Sequence, residues 1–459
     1  MKLWDYIKDN MLKYPKQTVS EGNFTKTYEE LISFAEMFSE KLSSEKCCAI
    51  YCHSEVLSAM ALLGCIAAGV TTVPLSTRYG DLHCKKILEF ISPTCVITDT
   101  DEGLGVYHIY DSEYSPTEYD SAFIMCTSGT TGTPKGVILS DDNIISNIKD
   151  ICKYFAIDNE DRILIARPLY HSAVLTGEFL VSLVKGVKVY FSSGPFNPIK
   201  ITTLIKENGI TTYCSTPTLM TMLIQFLKDE NNISLTNIVV SGECMSETIG
   251  RNIRKKFPHA NIYHVYGLTE ASPRVSYMPP QYYDEAPDSV GVPLDSVQLR
   301  ILDGEMKPKR NGEIGVLWVK GPNVMQGYYQ NPKLTEEVLK DGWLYTGDIA
   351  TIDGRGWLEI KGRNDEMIIR AGMNIYPQEI EAEIIKDPRV EEVIVYGVLD
   401  ERGIEQIYMD IKGNFRNDEQ VLDLCAELLP SYQIPSRINL ISEIPKGISG
   451  KVKREKKNK

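Results

Sequence analysis

The run Cys126-Thr127-Ser128-Gly129-Thr130-Thr131-Gly132-Thr133-Pro134-Lys135-Gly136-Val137 decides the fold. Residues 127–133 contain only glycine and hydroxyl-bearing side chains, which supply many N–H and O–H donors. Glycine lets the backbone approach an anion closely, and Lys135 adds a positive charge. The common phosphate loop, GxxxxGK[ST], opens a helix, whereas short apolar segments at 123–126 and 137–139 flank this run. We therefore predict two strands joined by a loop that closes over the phosphates of a nucleotide.

The composition limits the class of protein. A chain of 459 residues corresponds to about three domains of ~150 residues each. Hydrophobic residues make up 43% of the chain and charged residues 24%, as in an ordinary soluble globular protein. The net charge is −13, and the one basic stretch is the lysine-rich C-terminal tail, so we expect no nucleic-acid partner.

The cysteines and the apolar stretches indicate the compartment. Eleven cysteines without CxxC spacing favour buried, reduced thiols over a disulfide framework. The N-terminus lacks the apolar core of a signal peptide. The longest apolar stretch, residues 59–73, is too short and too interrupted to span a bilayer. These features predict a cytoplasmic protein with no membrane span.

Strands and helices alternate along the first half of the chain. Helical apolar spacing at residues 28–42 precedes a strand at 48–51, and the alternation continues to about residue 240. This order predicts an α/β body of doubly wound mixed sheets. From about residue 274 to 360, short segments separated by Gly, Pro and Asn predict a β-barrel-like subdomain. Beyond it, the pattern predicts a small α+β domain.

The phosphate-binding run resembles the signature of the adenylate-forming superfamily, which includes acyl- and aryl-CoA synthetases, peptide-synthetase adenylation domains and firefly luciferase. Four further motifs follow in the family's order: Tyr266-Gly267-Leu268-Thr269-Glu270, the Tyr-Thr-Gly-Asp turn ending at Asp348, Gly-Arg-Asn-Asp at 362–365 and Ser-Gly-Lys at 449–451. The resemblance implies an N-terminal body at residues 1–362, a hinge at 363–366 and a C-terminal lid domain at 367–459. It also implies a reaction that joins a carboxylate to the α-phosphate of ATP, releases pyrophosphate and then passes the acyl group to a thiol.

The resemblance assigns roles to individual residues. Tyr266 would stack on adenine, Thr269 would contact the α-phosphate, and Glu270 would hold Mg²⁺. Asp348 would accept hydrogen bonds from both ribose hydroxyls, with Arg363 as the ribose or phosphate partner. The implied ATP-binding set is Thr127, Ser128, Gly129, Thr130, Thr131, Gly132, Lys135, Gly242, Glu243, Tyr266, Gly267, Leu268, Thr269, Asp348, Arg363 and Lys451. The implied catalytic set is Thr269, Glu270 and Lys451.

The C-terminal motifs imply a moving lid. Lys451 would lie on a lid loop and reach both the carboxylate and the α-phosphate, a task that suits a long flexible ammonium. Asp365 matches the hinge about which the lid rotates between an adenylating pose and a thioester-forming pose. Gly372 would let a pantetheine arm pass close to the backbone in the thiol channel. A plain turn is the alternative role for Gly372.

The segment Pro168-Leu169-Tyr170-His171 resembles the synthetase motif in which an aromatic or histidine residue borders the carboxylate. Peptide-synthetase domains usually carry Phe-Asp here, with the Asp binding an amino group. The Tyr-His pair therefore favours a fatty, aromatic or other non-amino acid. The resemblance places His171, Ser241 and Gly267 at the acid, and Val174 stands where the family usually has a small residue.

Arg274 is a further charged candidate in this region. It lies just beyond the second motif, four residues after Glu270. Its guanidinium could meet a second carboxylate or a phosphate. A surface or structural role is the alternative that the sequence leaves open.

The leading interpretation is a free-standing acyl-CoA synthetase that uses ATP, Mg²⁺ and CoA on a small-molecule carboxylic acid. The main alternative is an adenylation enzyme that loads the phosphopantetheine of a separate carrier protein, since no carrier domain follows Lys451. Luciferase-like oxidation uses the same motifs but is rare. An inactive nucleotide-binding homologue is expected to lose Lys451, Glu270 or Arg363, and all three are present.

Overall fold

The computed structural model describes residues 1–77, 80–116, 121–128, 134–227, 234–370, 373–400 and 405–445. Within them the helices are α1 (Leu3–Met11), α2 (Tyr28–Lys41), α3 (Glu55–Ala68), α4 (Asp81–Ile91), α5 (Asp141–Tyr154), α6 (Ser172–Val174), α7 (Val181–Lys185), α8 (Pro198–Glu207), α9 (Pro217–Phe226), α10 (Glu247–Lys256), α11 (Pro332–Val338), α12 (Pro377–Ile384) and α13 (Asp418–Leu428). A π-helical segment, Leu175–Leu180, joins α6 to α7.

The strands, again within the described ranges, are β1 (Thr18–Glu21), β2 (Phe24–Thr27), β3 (Cys47–Ile50), β4 (Thr71–Pro74), β5 (Cys95–Thr100), β6 (Gly103–His108), β7 (Phe123–Ser128), β8 (Pro134–Leu139), β9 (Arg162–Ile165), β10 (Lys188–Phe191), β11 (Thr212–Ser215), β12 (Asn237–Ser241), β13 (Asn261–Gly267), β14 (Arg274–Tyr277), β15 (Val292–Pro293), β16 (Gln298–Leu302), β17 (Gly315–Lys320), β18 (Gly327–Tyr328), β19 (Leu339–Lys340), β20 (Trp343–Ile352), β21 (Leu358–Arg363), β22 (Ile368–Arg370), β23 (Met373–Ile375), β24 (Val390–Leu399), β25 (Glu405–Gly413) and β26 (Arg437–Leu440).

Two large mixed sheets form most of the body. One has the strand order β15-β14-β13-β12-β11-β9-β10-β1-β2, with a parallel centre and antiparallel pairs at both ends. The other has the order β18-β8-β7-β4-β3-β5-β6. Central strands such as β3 and β4 are buried along their whole length, as expected for parallel strands covered on both faces. The predicted doubly wound mixed-sheet body is confirmed.

Local sequence signals explain where several helices begin and end. Helix α2 begins with a capping box, in which the Thr27 side chain accepts from Glu30 N and the Glu30 carboxylate accepts from Thr27 N. Helix α3 ends at Gly69, whose φ of 67° gives the left-handed conformation that glycine adopts without strain. Buried residues of α2 and α3 belong to the main hydrophobic core, which also includes residues of both large sheets.

A smaller sheet follows, with the order β16-β17-β20-β19 and β21 paired to β20. The sequence predicted this subdomain from about residue 274. However, β14, which begins at Arg274, pairs with β13 and belongs to the larger sheet. The small sheet therefore begins later, at Gln298. The sequence pattern places this boundary too early because edge strands of both sheets show the alternation seen in β14.

The C-terminal part has its own core. Strands β24, β25 and β26 form a sheet covered by α12 and α13, and their buried residues make a hydrophobic cluster that shares no member with the clusters of the body. The predicted α+β character of this part is confirmed. Across the described ranges, no helix combines the length and the hydropathy needed to cross a bilayer.

Candidate active site

The predicted strand–loop–strand element is a hairpin of β7 and β8. The two strands pair antiparallel, with Thr127 opposite Lys135 and Ser128 opposite Pro134. Strand β8 also pairs with β18, and Lys135 Nζ lies 5.9 Å from the centre of the Tyr328 ring. The predicted phosphate contacts Gly129, Thr130, Thr131 and Gly132 lie outside the described residues.

The second motif forms the end of β13 and the turn that follows it. Gly267 pairs with Arg274 across a register shift, and a methyl group on Gly267 would lie 2.2 Å from the Pro273 carbonyl oxygen. Leu268 N donates to the same oxygen at 2.9 Å, which closes the turn. A 3₁₀ turn, Thr269–Ala271, then presents Thr269 and Glu270. Glycine is required at 267 because the two backbones approach so closely.

Two asparagines hold this turn against the rest of the body. Asn147 on α5 exchanges two hydrogen bonds with the backbone of Arg274, accepting from its N at 3.1 Å and donating to its O at 2.8 Å. Asn323 donates to the carbonyl oxygens of Ala271 and Arg274 at 2.9 Å each. These buried bonds fix the position of Glu270 without using its side chain.

Glu270 has a side-chain partner that the sequence did not indicate. Its Oε1 accepts from the Tyr328 hydroxyl at 2.8 Å, and Met325 N donates to its backbone oxygen at 2.9 Å. Burial, with the Glu270 charge as a second cause, raises the pKa of Tyr328. Tyr328 therefore remains a protonated donor and orients the carboxylate.

Asp348 is buried beside the end of β13. Its Oδ2 accepts from the Tyr266 hydroxyl, and its Oδ1 accepts from Arg363 at 3.0 Å. Burial raises the pKa of Asp348, while Arg363 and the Tyr266 hydroxyl oppose that shift. Arg363 also donates to the Thr346 carbonyl at 3.0 Å. Each carboxylate oxygen keeps a second lone pair, so the pair of hydroxyls on a ribose fits this carboxylate.

Asp348 and Glu270 belong to one site. The negative charge of Glu270 contributes to the raised pKa of Asp348. The positive charge of Arg363 opposes the raised pKa of Tyr328, whose hydroxyl donates to Glu270. The sequence placed these residues in separate motifs, and the structure brings them together. Their assigned roles in ATP binding remain predictions.

The segment after β12 forms another wall. Gly242 has a φ of 93°, and Glu243 Oε2 accepts from Thr218 at the start of α9, at 3.2 Å from N and 2.7 Å from Oγ1. Within the described ranges, Ser241 Oγ and Glu243 Oε1 are buried without a hydrogen-bond partner. Buried polar atoms in this state are suited to a ligand.

The predicted acid-binding segment follows β9 and leads into α6. His171 is the N-cap residue of α6, and its ring centre lies 3.9 Å from that of Tyr170. The next residue, Ser172, places its Oγ 3.2 Å from Thr269 Oγ1. This contact joins the predicted acid segment to the predicted α-phosphate residue. Val174 is fully buried in the main core.

The predicted hinge lies where β21 ends. Arg363 Nε donates to Asp365 Oδ1 at 3.3 Å, and Asp365 is more than half exposed. Beyond it, Gln378 on α12 donates to Glu366 at 2.8 Å. Gly372 and Lys451, the predicted thiol-channel and catalytic residues, lie outside the described residues.

Sequence reasoning missed Tyr328, Ser172 and a buried ion pair. Tyr328 and Ser172 carry no chemical signature in their own segments, and only the packing of β18 and α6 brings them to the motif residues. The ion pair joins Arg167 to Glu178 of the π-helical segment. Two opposite charges, 11 positions apart with no Asp, Glu, Lys or Arg between them, were the signal that could have drawn attention to it.

Comparison with known proteins gives consistent results over both parts of the chain. The model of the AMP-binding enzyme family matches residues 8–329, and that of the AMP-binding enzyme C-terminal domain matches 379–451. A feruloyl-CoA synthase from Amycolatopsis sp is 31% identical over 340 residues, 72% of this chain and 68% of that protein. A long-chain-fatty-acid–CoA ligase from Yersinia pestis is 34% identical over 73% of this chain and 60% of that protein.

Among solved structures, an o-succinylbenzoate CoA synthetase from Bacillus subtilis, bound to its acyl-adenylate intermediate, superposes with a TM-score of 0.85. It is 25% identical, over 97% of this chain and 96% of that one. The same synthetase has also been solved with ATP and a magnesium ion. The likeness therefore extends over nearly the whole chain in both proteins.

Proposed function

The chain belongs to the AMP-binding enzymes as an AMP-forming acid–thiol ligase, and we propose that it converts a non-amino carboxylic acid to its acyl-adenylate and then to its CoA thioester. One observation carries the proposal. The buried Asp348 carboxylate, held by Tyr266 and Arg363, shares a site with Glu270 and Thr269. Such a site offers acceptors to a ribose beside groups that suit a triphosphate.

In the first step, an oxygen of the substrate carboxylate attacks the α-phosphorus of ATP, and the bond to pyrophosphate breaks. Two anions must meet, so the enzyme's task is mainly to align them and neutralise charge. Lys135 and Lys451 supply positive charge, and Thr269 contacts the α-phosphate. Asp348 holds the ribose, which fixes the α-phosphorus relative to the acid.

Magnesium fits the surroundings of Glu270. This carboxylate is oriented by Tyr328 and its backbone is held by Met325, so the position of one carboxylate oxygen is fixed. A magnesium site needs few protein ligands when phosphates supply the others. When bound, the ion would neutralise phosphate charge during pyrophosphate release.

In the second step, the sulfur of CoA attacks the acyl carbonyl carbon, the bond to the phosphate oxygen of AMP breaks, and the thiol proton is released. We assign the exchange of poses between the steps to the lid at residues 367–459, which turns at 363–366 about Asp365. Its separate hydrophobic core supports movement as one body. Gly372 would then line the thiol channel.

The choice of acid rests on the start of α6. His171 lies one residue and Tyr170 two residues before Ser172, whose hydroxyl contacts Thr269. An aspartate that would pair with an amino group is replaced here by His171. We therefore assign Ser241, Gly267 and His171 to a non-amino acid. The CoA ligases that resemble the chain support CoA as the acceptor.

The decisive experiment is ATP–pyrophosphate exchange with a panel of fatty, aryl, dicarboxylic and amino acids, followed by addition of CoA. We expect exchange with a non-amino acid and acyl-CoA formation on adding CoA. Exchange with amino acids alone would contradict the substrate class. Adenylate formation without any thioester on CoA would contradict the acceptor.

The matched variants are Lys451→Ala and Lys453→Ala in the same tail. Lys451→Ala should slow exchange at least about 100-fold, because one charged contact to the transition state is lost. ATP binding, measured by calorimetry, should be retained. Lys453→Ala should behave as wild type. Full exchange in Lys451→Ala would remove its catalytic role.

A further inference from the structure

Three charged side chains are buried together behind the acid segment. Arg167 follows β9, Glu178 lies on the π-helical segment, and Arg274 begins β14. Arg167 donates to Glu178 Oε1 at 2.5 Å. Arg274 lies against the same helix, since a methyl group on Gly177 would be 2.9 Å from its terminal nitrogen. Glu178 is 1% exposed and Arg274 is 4% exposed.

This cluster carries more positive than negative charge. Two guanidinium groups face one carboxylate, so at least one positive charge has no direct counter-ion within the cluster. Glu178 Oε2 and the Nε atoms of both arginines are buried without a hydrogen-bond partner among the described residues. Thr176 Oγ1, two residues before Glu178 on the same helix, is also buried without a partner among the described residues. Buried charge without a partner is costly, so the cluster is suited to receive an anion.

The cluster also lies next to the reacting groups. Ser172 contacts Thr269, and the helix that begins there reaches Gly177 five residues later, about 7 Å along its axis. On the opposite wall, Arg274 pairs across strands with Gly267. The two segments assigned to the acid, the start of α6 and Gly267, are therefore directly connected to the cluster, one along the helix and the other across the strand pair. π-Helical turns often occur at functional sites.

We propose that Arg274 binds a second carboxylate of the substrate and that the enzyme selects dicarboxylic acids. The inference rests on the proposed function and specifies its substrate class. A guanidinium can bind a carboxylate through two parallel hydrogen bonds. The remote carboxylate pairs with Arg274, while Glu178 holds Arg167 in place and keeps the cluster from attracting more than one anion. The reacting carboxylate remains at Thr269.

The test compares exchange rates for diacids and monoacids of equal carbon number: adipate with hexanoate, suberate with octanoate, and terephthalate with the methyl-substituted p-toluate. For at least one pair, the wild type should show a higher kcat/KM with the diacid. In Arg274→Met, the ratio of diacid to monoacid kcat/KM should fall about 100-fold, because a buried charge pair is lost. Arg251→Met, at an exposed arginine paired with Glu247, should leave the ratio unchanged.

Arg274→Lys separates recognition from a purely structural role. Lysine keeps the charge but cannot form the planar pair, so its ratio should lie between those of the wild type and Arg274→Met. A ratio unchanged in a folded Arg274→Met that binds ATP would overturn the proposal. If Arg274→Met does not bind ATP, the proposal is judged on the wild type alone. A wild-type enzyme that prefers none of the diacids over its matched monoacid would overturn the proposal. Absence of exchange with every acid would instead contradict the proposed function.

Discussion

Glu270 illustrates how a side chain distant in sequence completes a motif. The motif identifies Glu270 as the magnesium candidate, but Tyr328, 58 positions away, is the residue that orients its carboxylate. A hydrogen bond to a charged group is stronger than one between neutral groups because the charge strengthens the attraction. The geometry of the predicted metal site therefore depends on the contact between β18 and the turn after β13.

Tyr328→Phe should test this dependence at the level of one atom. Removing the hydroxyl frees the Glu270 carboxylate to rotate, so we expect about 10-fold slower ATP–pyrophosphate exchange and a higher Mg²⁺ concentration at half-maximal rate. Tyr329→Phe is the matched control, because the Tyr329 hydroxyl contacts the Ile91 carbonyl at 3.4 Å, away from Glu270. An equal loss in both variants would show that the effect is general destabilisation.

Among the elements, strands were the easiest to predict. The apolar segments at 123–126 and 137–139 and the run at 298–302 correspond to β7, β8 and β16, because alternation and burial are local properties of a strand. The pairing of β14 with β13 was not predictable, since it depends on a register shift at Gly267. For the same reason, sequence named Arg274 as a candidate but did not place it beside Gly177 and Glu178.

Gly267→Ala tests whether the approach of β13 to β14 supports the site. The added methyl would meet backbone atoms of residue 273, which cannot rotate away, so we expect a loss of about 1–3 kcal/mol in unfolding free energy. The rate of ATP–pyrophosphate exchange should fall by more than the loss of folded protein explains, because the turn that carries Thr269 and Glu270 must shift. Both quantities can be measured on one preparation, by thermal unfolding and by exchange.

Gly304→Ala is the matched control for that variant. Gly304 lies in an exposed turn with no heavy atom within 4 Å of the added methyl. It should unfold at the wild-type temperature or slightly above it, because alanine restricts the unfolded chain. A Gly267→Ala enzyme with wild-type stability and exchange would show that the two strands separate without cost.

At the scale of the molecule, the body and the C-terminal part have separate hydrophobic cores. The sequence predicted this division because the motif order and the change in pattern are both visible along the chain. The role predicted for Lys451 concerns a residue outside the described part of the structure. Stability of the body can be probed through a buried group whose hydrogen-bond partner also lies in the body.

His264 is such a group. It lies on β13, is 2% exposed, and its Nδ1 donates to the Ser289 carbonyl at 3.0 Å. Burial lowers the pKa of His264 from 6.5 to about 4. Between these values the unfolded chain binds a proton that the folded chain does not, so the contribution of His264 to stability is fully present above pH 6.5 and is lost as the pH falls toward 4.

We expect His264 to account for about 3 kcal/mol of this acid-side loss, from a difference of about 2.5 pKa units at 1.36 kcal/mol each. Unfolding temperatures measured from pH 7.5 to pH 4.5 should fall less steeply in His264→Gln than in the wild type, although the variant is less stable at pH 7.5. His259→Gln, at an exposed position of the same region, should keep the wild-type slope. Equal slopes in all three proteins would mean that His264 protonates inside the folded body, and that its burial does not exclude the charge.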